Sequence, residues 1–278
     1  MLSLCMIVKN EAAALSRCLA SVRDVADEIV VVDTGSTDET VAIARSHGAT
    51  VGHHDFTDVD FAAARNRALE LAHGDFALVL DADEALHPAS TEAVRRLAGG
   101  PADTGYVVTR RNHHPGATAP AGTDHAVRLF PLRPQYRYRH RVHETVDDAI
   151  LDAGGRLRRS DVVLDHFLPA VPRQREKSRF YLGLLRRDLA HAPDDVDRLT
   201  FLAAEHHKLG DFAAATAIAE RIAALRPDDF TARFTVALYH YAYGGDPARA
   251  RTSAAAALRL RPADPDATEL WAQLQRSA

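Results

Sequence analysis

The chain has 278 residues, of which 46% are hydrophobic and 26% are charged, and its formal net charge is −4 at pH 7. These values exclude a disordered chain, a collagen and a coiled-coil rod, and the mild acidity argues against a dedicated nucleic-acid binder. The two cysteines, Cys5 and Cys18, are too few for a disulfide scaffold or a multi-cysteine zinc module. We therefore expect the protein to reside in a reducing compartment.

The first part of the chain alternates short apolar segments with amphipathic patterns. The pattern predicts strands over residues 2–8, 28–33, 49–53 and 75–80, and helices over residues 11–22, 38–46 and 61–72. Strands separated by helices of this length indicate βαβ units in a doubly wound sheet. Functional groups of such a sheet lie just beyond the carboxyl ends of its strands.

The middle of the chain, residues 105–166, has a different pattern, with proline and glycine between shorter apolar segments. We predict strands there over residues 106–110, 126–131, 136–142 and 162–167. These strands indicate a mixed or antiparallel section of the fold.

From Pro169 onward the sequence is rich in alanine and arginine and has helical patterns throughout. Pro193, Pro227 and Pro262 recur at spacings of 34 and 35 residues in related Pro-Asp-Asp or Pro-Ala-Asp contexts. This period resembles tetratricopeptide repeats, which are helix pairs that bury their apolar faces by stacking. A generic helical bundle is the alternative. We therefore predict a first domain over residues 1–168 and a helical domain over residues 173–278.

Three carboxylates, Asp81, Asp83 and Glu84, follow the predicted strand over residues 75–80. The end of a strand in this kind of sheet is where a ligand crevice opens. Carboxylates two positions apart supply the hard oxygen ligands that suit Mg²⁺ or Mn²⁺. The alternative interpretation is a turn and a helix cap ahead of Pro88.

Asp33 ends the predicted strand over residues 28–33, at the same edge of the sheet. Gly35 permits a tight turn, and the segment Ser36-Thr37-Asp38 can cap the next helix. Capping explains these three residues but does not require Asp33.

Arg65 and Arg67 lie between these two acidic segments, on the predicted helix over residues 61–72. Arginine is suited to bidentate contacts with phosphates and carboxylates. The alternative is a solvated helix face, which suits Arg67 better than Arg65.

Four segments, in this order, resemble glycosyltransferase family 2: residues 4–11 (LCMIVKNE), 32–38 (VDTGSTD), 64–66 (ARN) and 81–84 (DADE). The similarity is greatest to the bacterial branch that includes lipopolysaccharide-core glucosyltransferases and peptide S-glycosyltransferases. It covers about residues 2–168 and implies a GT-A fold, a nucleoside-diphosphate sugar donor and inversion at the anomeric carbon. Many members have Asp-Asp-Gly-Ser where this chain has Asp-Thr-Gly-Ser, a form that is familiar in the similar branch.

The resemblance also implies roles for individual residues. Carried over by position, the nucleotide site comprises Val8, Lys9 and Glu11 along the nucleoside pocket, Asp33 on the base, Arg65 on the nucleotide and Asp81 at the ribose. Asp83 would bind the metal that bridges the diphosphate. His166 follows an apolar segment and resembles a late histidine that completes the metal or diphosphate site in some GT-A enzymes. A purely structural histidine is the alternative.

Glu144 follows His143 in the middle section, where the similar branch commonly has a His-Glu pair. An inverting transferase needs a base that takes the acceptor proton. A glutamate is ordinarily ionised at neutral pH and can take this role. His143 is the alternative base, or it orients Glu144, and an ion pair with a neighbouring arginine is the structural alternative.

Five arginines lie within a stretch of the middle section that contains no acid: Arg128, Arg133, Arg137, Arg139 and Arg141. The predicted strand over residues 136–142 would place the last three on one face. That face would bind an anion, either the diphosphate or an anionic acceptor. The alternative is a solvated surface.

Together these features predict an α/β protein in which a GT-A type transferase domain precedes an all-α tetratricopeptide-like domain. The expected activity is metal-dependent, inverting transfer from a nucleotide sugar, a UDP-sugar being the expected donor and Mn²⁺ or Mg²⁺ the cofactor. The acceptor stays open among glycan, lipid-linked, peptide and small-molecule classes. The alternatives are a scaffold with an inactive transferase-like domain and a sugar-phosphate nucleotidyltransferase, whose usual Gly-rich loop after the first strand is missing.

The helical repeats suggest three partner roles: binding a peptide or protein acceptor, forming a homodimer, or bracing the first domain. We expect no nucleic-acid partner. No apolar segment approaches the roughly 20 residues that span a bilayer, and the first residues lack a basic leader. We therefore expect no transmembrane segment, no signal peptide and a cytoplasmic location.

Overall fold

The computed structural model describes residues 1–117 and 119–276. Its contacts divide the chain into two compact units, Met1–Ala170 and Val171–Ala278. Each unit is described by itself.

The described residues of the first unit form an eight-stranded sheet with the spatial order β3-β2-β1-β4-β7-β6-β8-β5. The strands are β1 Leu2–Val8, β2 Glu28–Asp33, β3 Thr50–His53, β4 Phe76–Val79, β5 Glu84–Leu86, β6 Thr104–His113, β7 Gly122–Pro131 and β8 Arg156–Phe167. Strands β1 to β4 are parallel. Strand β7 is antiparallel to β4 and β6, and β8 is parallel to β6 but antiparallel to β5. The predicted parallel sheet with a mixed section is therefore confirmed.

The helices of this unit cover both faces of the sheet. They are α1 Ala12–Val22, α2 Thr40–Ser46, α3 Phe61–Leu71, α4 Thr91–Leu97 and α5 Asp147–Asp152. Leu4 and Met6 of β1 pack in one cluster with Leu19 of α1, whereas Cys5 packs in the opposite cluster with Ala68 of α3. Successive side chains of a strand point to opposite faces, so a strand that is apolar at every position is covered on both.

The register of the parallel strands brings the candidate residues to one edge. Val8 of β1 pairs with Asp33 of β2, so these two strands end side by side. Strand β4 lies on the other side of β1 and runs in the same direction, with Val79 paired to Cys5. The loops that follow β1, β2 and β4 therefore open at the same edge of the sheet, as the sequence predicts.

The strand predicted over residues 136–142 is wrong. Residues 139–145 form a turn closed by a single bridge between Arg139 and Thr145, with positive φ at His140 (69°) and His143 (55°). The side chain of Asn66 accepts from the Tyr138 backbone N–H at 2.8 Å and donates to its carbonyl at 3.0 Å. A side chain of α3 thus satisfies the backbone groups that a neighbouring strand would have paired.

Two further differences concern the middle section. Glu84–Leu86 forms β5 and pairs with β8, a strand that was not predicted from the sequence. Strands β6 and β8 extend beyond their predicted cores, to Thr104–His113 and Arg156–Phe167. Both extensions carry charged residues, which a search for apolar alternation underestimates.

The second unit is helical, with α6 Val171–His191, α7 Val196–Lys208, α8 Phe212–Leu225, α9 Phe230–Ala242, α10 Pro247–Leu260 and α11 Pro265–Arg276. The repeated motif places an aspartate at equivalent helix starts. Asp195, Asp229 and Asp264 each accept a backbone N–H three residues later, at 2.9, 2.9 and 3.0 Å. The motif therefore caps alternate helices, as expected for tetratricopeptide-like helix pairs. Among the described residues, no helix combines the length and the apolar composition needed to cross a bilayer.

Candidate active site

The loops after β1 and β2 are tied together by side-chain hydrogen bonds. Asn10, with φ of 55°, accepts from the Thr37 backbone N–H at 2.7 Å, and its own N–H donates to Ser36 Oγ at 2.9 Å. The N–H of Glu11 donates to Thr40 Oγ1 at 2.8 Å. These bonds fix the Lys9-Asn10-Glu11 segment next to the end of β2.

The sequence offers Ser36, Thr37 and Asp38 as caps of the next helix, but the N-cap residue is Glu39, whose side chain makes no capping hydrogen bond. Asp38 accepts from the Thr40 backbone N–H, the first of α2, at 3.0 Å. Ser36 and Thr37 bond to Asn10 in the loop after β1 instead.

Asp33 is buried at the end of β2, and its carboxylate is held by the backbone of the turn that follows. It accepts from the N–H groups of Gly35 and Ser36, each at 3.1 Å. Gly35 adopts φ of 99°, a conformation in which other residues are strained. On the neighbouring strand Val8 is buried, whereas Lys9 beyond it is exposed. Val8, Lys9 and Asp33 therefore border the same end of the sheet.

Asp81 follows β4 and lies between two arginines. Arg65 Nη2 donates to Asp81 Oδ1, and Arg128 Nη2 donates to Asp81 Oδ2, both at 2.7 Å. Burial acts to raise the pKa of the Asp81 carboxyl, but the Arg128 and Arg65 guanidinium groups outweigh it and hold the pKa well below its usual range. Asp81 is therefore a fixed negative charge whose two oxygens are already engaged.

Glu84 is fully buried in β5 and completes this network. Its Oε1 accepts from Arg110 Nη1 and Arg128 Nη2, both at 3.1 Å, and its Oε2 accepts from the Asp81 N–H at 2.9 Å. Burial acts to lower the pKa of Arg128, but Asp81 and Glu84 raise it overall. Neither Arg110 nor the pairing of Arg128 with Asp81 and Glu84 was predicted from the sequence, where Arg128 is one of five arginines in a stretch without acids. The signal for Arg128 was its position in an otherwise apolar segment that ends in Leu129-Phe130.

Glu144 reaches the same network from the turn over residues 139–145. Its Oε1 accepts from Arg65 Nε at 2.7 Å, and the exposed fractions of the two side chains are 13% for Glu144 and 8% for Arg65. The turn is anchored because the Phe61 N–H donates to the Arg141 carbonyl at 2.9 Å. One guanidinium group thus joins Glu144 to Asp81. The other proposed base, His143, is the adjacent residue.

The three alternating arginines do not share a face, so that prediction is wrong. Arg137 Nη1 donates to the carbonyls of Arg133 and Tyr136, while Arg139 pairs with Asp152 at 2.6 Å. Arg141 Nη1 donates to Asp58 Oδ1 at 2.5 Å. The three guanidinium groups have different partners because the chain turns here instead of continuing as a strand.

Asp83 and His166 are brought together by the pairing of β5 with β8. Asp83 Oδ2 lies 3.6 Å from His166 Nε2, and the Asp83 carbonyl accepts from the Phe167 N–H at 2.9 Å. Their side chains are 30% and 17% exposed, so both are partly accessible to solvent. A carboxylate oxygen and an imidazole nitrogen at this separation suit a divalent cation. No cluster of three or more His, Cys, Asp or Glu that could hold a metal occurs within the described part of the chain.

Residues 3–166 match the family described as Glycosyl transferase family 2. This match covers more than half of the chain, and the protein belongs to that family.

Two relatives illustrate the similarity and its extent. A TPR repeat-containing protein of Synechococcus elongatus is 46% identical over 149 residues, which cover 54% of this chain and 36% of that protein. An uncharacterized glycosyltransferase of Rickettsia bellii is 42% identical over 81 residues, which cover 29% of this chain and 27% of that protein. The matched segments thus span well under half of either relative.

The fold is also similar to that of a solved structure. The crystal structure of S. aureus TarS 1–349 matches with a TM-score of 0.50 and 15% identity, over 91% of this chain and 89% of that chain. The complex of the same TarS fragment with UDP matches with a TM-score of 0.50 and 16% identity, over the same shares of the two chains. At this identity the match establishes the fold, which is the expected GT-A type followed by helices.

Proposed function

We propose that this protein is a metal-dependent, inverting glycosyltransferase that uses a UDP-sugar donor. The observation that carries the proposal is the arrangement around Arg65, which joins Asp81 at the end of β4 to Glu144 in the distant turn, with 2.7 Å hydrogen bonds to each. A residue suited to donor binding and a residue suited to base catalysis thus meet at the edge where ligands of such sheets bind.

The donor nucleotide is proposed to lie over the ends of β1, β2 and β4. Asp33 would bind the base, Val8, Lys9 and Glu11 would line the nucleoside pocket, and Asp81 would face the ribose. Support comes from the common edge and from the hydrogen bonds that fix these loops. The UDP complex of the similarly folded TarS fragment is consistent with this choice of nucleotide.

Asp83 and His166 are proposed to hold Mn²⁺ or Mg²⁺. Asp81 is not assigned to this role because Arg65 and Arg128 already compensate its negative charge. Two protein ligands leave the other coordination positions to phosphate oxygens and water, the usual arrangement for Mg²⁺ at phosphate sites. When bound, such a cation would neutralise charge that develops on the departing nucleoside diphosphate.

Glu144 is proposed to take the acceptor proton. Arg65 occupies Oε1, and among the described residues no hydrogen bond is made to Oε2, which is therefore the oxygen for the proton. Arg65 is proposed to position this base. His143 is the competing base, and variants of the two residues distinguish them.

The acceptor is proposed to be a peptide or protein that binds the helical unit. Stacked helix pairs form extended surfaces of the kind that bind peptides. The helical unit is thus proposed to select the acceptor class. The residues proposed to carry the chemistry lie in the first unit.

A hydrolysis screen of nucleotide sugars tests the proposed activity. The full-length chain is incubated with each candidate donor and Mn²⁺, Mg²⁺ or EDTA, and released nucleoside diphosphate is measured. We expect cation-dependent release of UDP, which Asp83→Ala abolishes without loss of folding.

If no donor is hydrolysed and no nucleoside diphosphate raises Tm, the inactive-scaffold alternative holds. Pyrophosphate release from a nucleoside triphosphate and a sugar phosphate would instead support the nucleotidyltransferase.

A further inference from the structure

His166 belongs to a series of hydrogen-bonded polar side chains that continues through residues of β6 and β7. Its Nδ1 lies 2.8 Å from Asn112 Oδ1, and Asn112 Nδ2 donates to Asp124 Oδ2 at 2.9 Å. Arg110 Nε donates to Asp124 Oδ1 at 2.5 Å. Asn112 thus contacts the ring nitrogen of His166 that does not face Asp83. The proposed function gives no role to Asn112 or Asp124.

Asp124 fixes which way the amide of Asn112 points. Burial acts to raise the pKa of the Asp124 carboxyl, but its hydrogen bonds with Asn112 and Arg110 outweigh this and leave the pKa below its ordinary value. An ionised carboxylate accepts hydrogen bonds and donates none. The NH₂ group of Asn112 must therefore face Asp124, which leaves its carbonyl oxygen facing His166.

The amide direction in turn fixes the tautomer of His166. A carbonyl oxygen only accepts, so Nδ1 of His166 must carry the proton that it donates to Asn112. In a neutral imidazole the other nitrogen, Nε2, then has a free lone pair. That nitrogen is the one that lies 3.6 Å from Asp83 Oδ2.

We infer that Asn112 and Asp124 are positioning residues that hold His166 in the tautomer able to bind a divalent cation together with Asp83. The inference rests on the cation site of the proposed function. Metal-binding histidines generally donate their second ring N–H to an oxygen acceptor, and loss of such a partner weakens metal affinity about 10- to 100-fold. Here the acceptor is an amide oxygen, so its direction depends on a third residue.

Asp124→Asn is the sharpest test because it changes hydrogen-bonding direction without changing shape. Arg110 would still donate to the oxygen of the new amide, whose NH₂ group would then face Asn112. Asn112 must rotate to accept that bond and would present its own NH₂ group to His166. Nδ1 would become the acceptor and Nε2 would take the proton, which removes the lone pair from the cation site.

The double variant Asn112→Asp, Asp124→Asn provides the matching rescue. A carboxylate at position 112 accepts from both His166 and the amide at position 124. The bond between positions 112 and 124 is then reversed relative to the native chain, but His166 again donates from Nδ1 to residue 112. Asp161→Asn is the control, since it removes the same charge from an exposed carboxylate that pairs with Arg96 at 3.0 Å.

Two measurements on the full-length chain decide the matter. Electron paramagnetic resonance gives the Mn²⁺ affinity in the presence of saturating UDP, and nitrogen NMR of the metal-free protein reports which ring nitrogen of His166 is protonated. We expect Asp124→Asn to weaken Mn²⁺ binding about tenfold or more and to move the proton to Nε2. The double variant and Asp161→Asn should behave as the native chain does.

Native affinity in Asp124→Asn, or a protonated Nε2 in the native protein, would overturn the inference. A native chain that binds no Mn²⁺ contradicts the proposed function instead, and the nitrogen spectrum still decides the tautomer. The two failures are therefore distinguishable.

Discussion

Arg65 donates from Nε to Glu144 Oε1 at 2.7 Å although the two residues are 79 positions apart in the chain. The same guanidinium group donates from Nη2 to Asp81. Burial acts to lower the pKa of Arg65, but Asp81 and Glu144 outweigh it and raise the pKa, so the group stays charged. The proposed base and the proposed ribose ligand are thus held by one buried cation.

Replacement of Arg65 by methionine should be strongly destabilising. The variant leaves Glu144 without its cation and Asp81 with Arg128 alone, both in a largely buried place. Breaking a buried ion pair in this way costs about 3–5 kcal/mol. The measurement is urea unfolding at neutral pH. Arg67→Met, at a 45% exposed side chain on the same helix, is the matched control and should stay within about 0.5 kcal/mol of the native chain. Equal effects of the two variants would contradict the buried network.

Asp81 should make the stability of the protein depend on pH in the acid range. Its folded pKa lies well below its value of about 3.9 in unfolded chains, so the carboxylate contributes stability in full above that value. Below about pH 4 the unfolded chain binds a proton that the folded chain does not, and the contribution disappears as pH falls through the folded pKa.

Unfolding free energies of the native chain and of Asp81→Asn, compared from neutral pH downward, check this sign. Their difference should be constant near neutrality and shrink below about pH 4. A difference that grows as the pH falls would show that the network does not hold the carboxylate in its charged form.

Glu144→Gln should separate binding from turnover. An amide oxygen can still accept from Arg65, so the local structure and the affinity for UDP with Mn²⁺ should be retained. Donor hydrolysis should fall about 100-fold or more because the amide takes up no proton. Glu70→Gln, at an exposed glutamate that pairs with Arg67, is the control and should hydrolyse donor at the native rate. If His143→Gln alone reproduces the loss, His143 is the base.

Asn66→Ala should displace the turn that carries Glu144. The variant leaves the backbone N–H and carbonyl of Tyr138 without their partner, and an unsatisfied buried polar group costs about 1–3 kcal/mol. We expect lower stability in urea and slower donor hydrolysis, with UDP affinity retained since Asp33 lies on other loops. Weakened UDP binding with normal turnover would contradict this division of roles.

Much of the parallel half of the fold could be predicted from local pattern. Strands β1 and β2 have the predicted bounds, Leu2–Val8 and Glu28–Asp33, because each is apolar on both faces and is followed by a helix signal. The strand ends then locate Asp33 and Asp81 at one edge without any knowledge of tertiary contacts. The helical period likewise follows from capping aspartates that recur in the sequence.

The turn over residues 139–145 could not be predicted in the same way. Alternation of Tyr136 and Tyr138 with arginines is typical of a strand, and both tyrosines are buried. The backbone N–H and carbonyl of Tyr138, however, bond to the side chain of Asn66 and not to a neighbouring strand. Tertiary contacts of this kind override local preference, and no local pattern contains them.

The ion-pair network also lies beyond sequence reasoning, since its partners come from distant segments. Arg65 and Arg67 carry the same charge on one helix, but Arg65 is buried against Asp81 and Glu144 while Arg67 pairs with Glu70 at the surface. The strand pairing that brings His166 to Asp83 depends on β5. This strand has three residues and begins with Glu84, so apolar alternation does not reveal it.

Calorimetric titration of UDP into the full-length protein, with Mn²⁺ and after EDTA treatment, tests the central claim most directly. With Mn²⁺ the native chain should bind UDP, and removal of the cation should weaken binding at least about tenfold, because a cation held by Asp83 and His166 would neutralise charge on the diphosphate. Asp83→Asn should bind UDP equally weakly under both conditions. UDP binding that is the same with and without Mn²⁺ in the native chain, or no binding at all, would contradict the account.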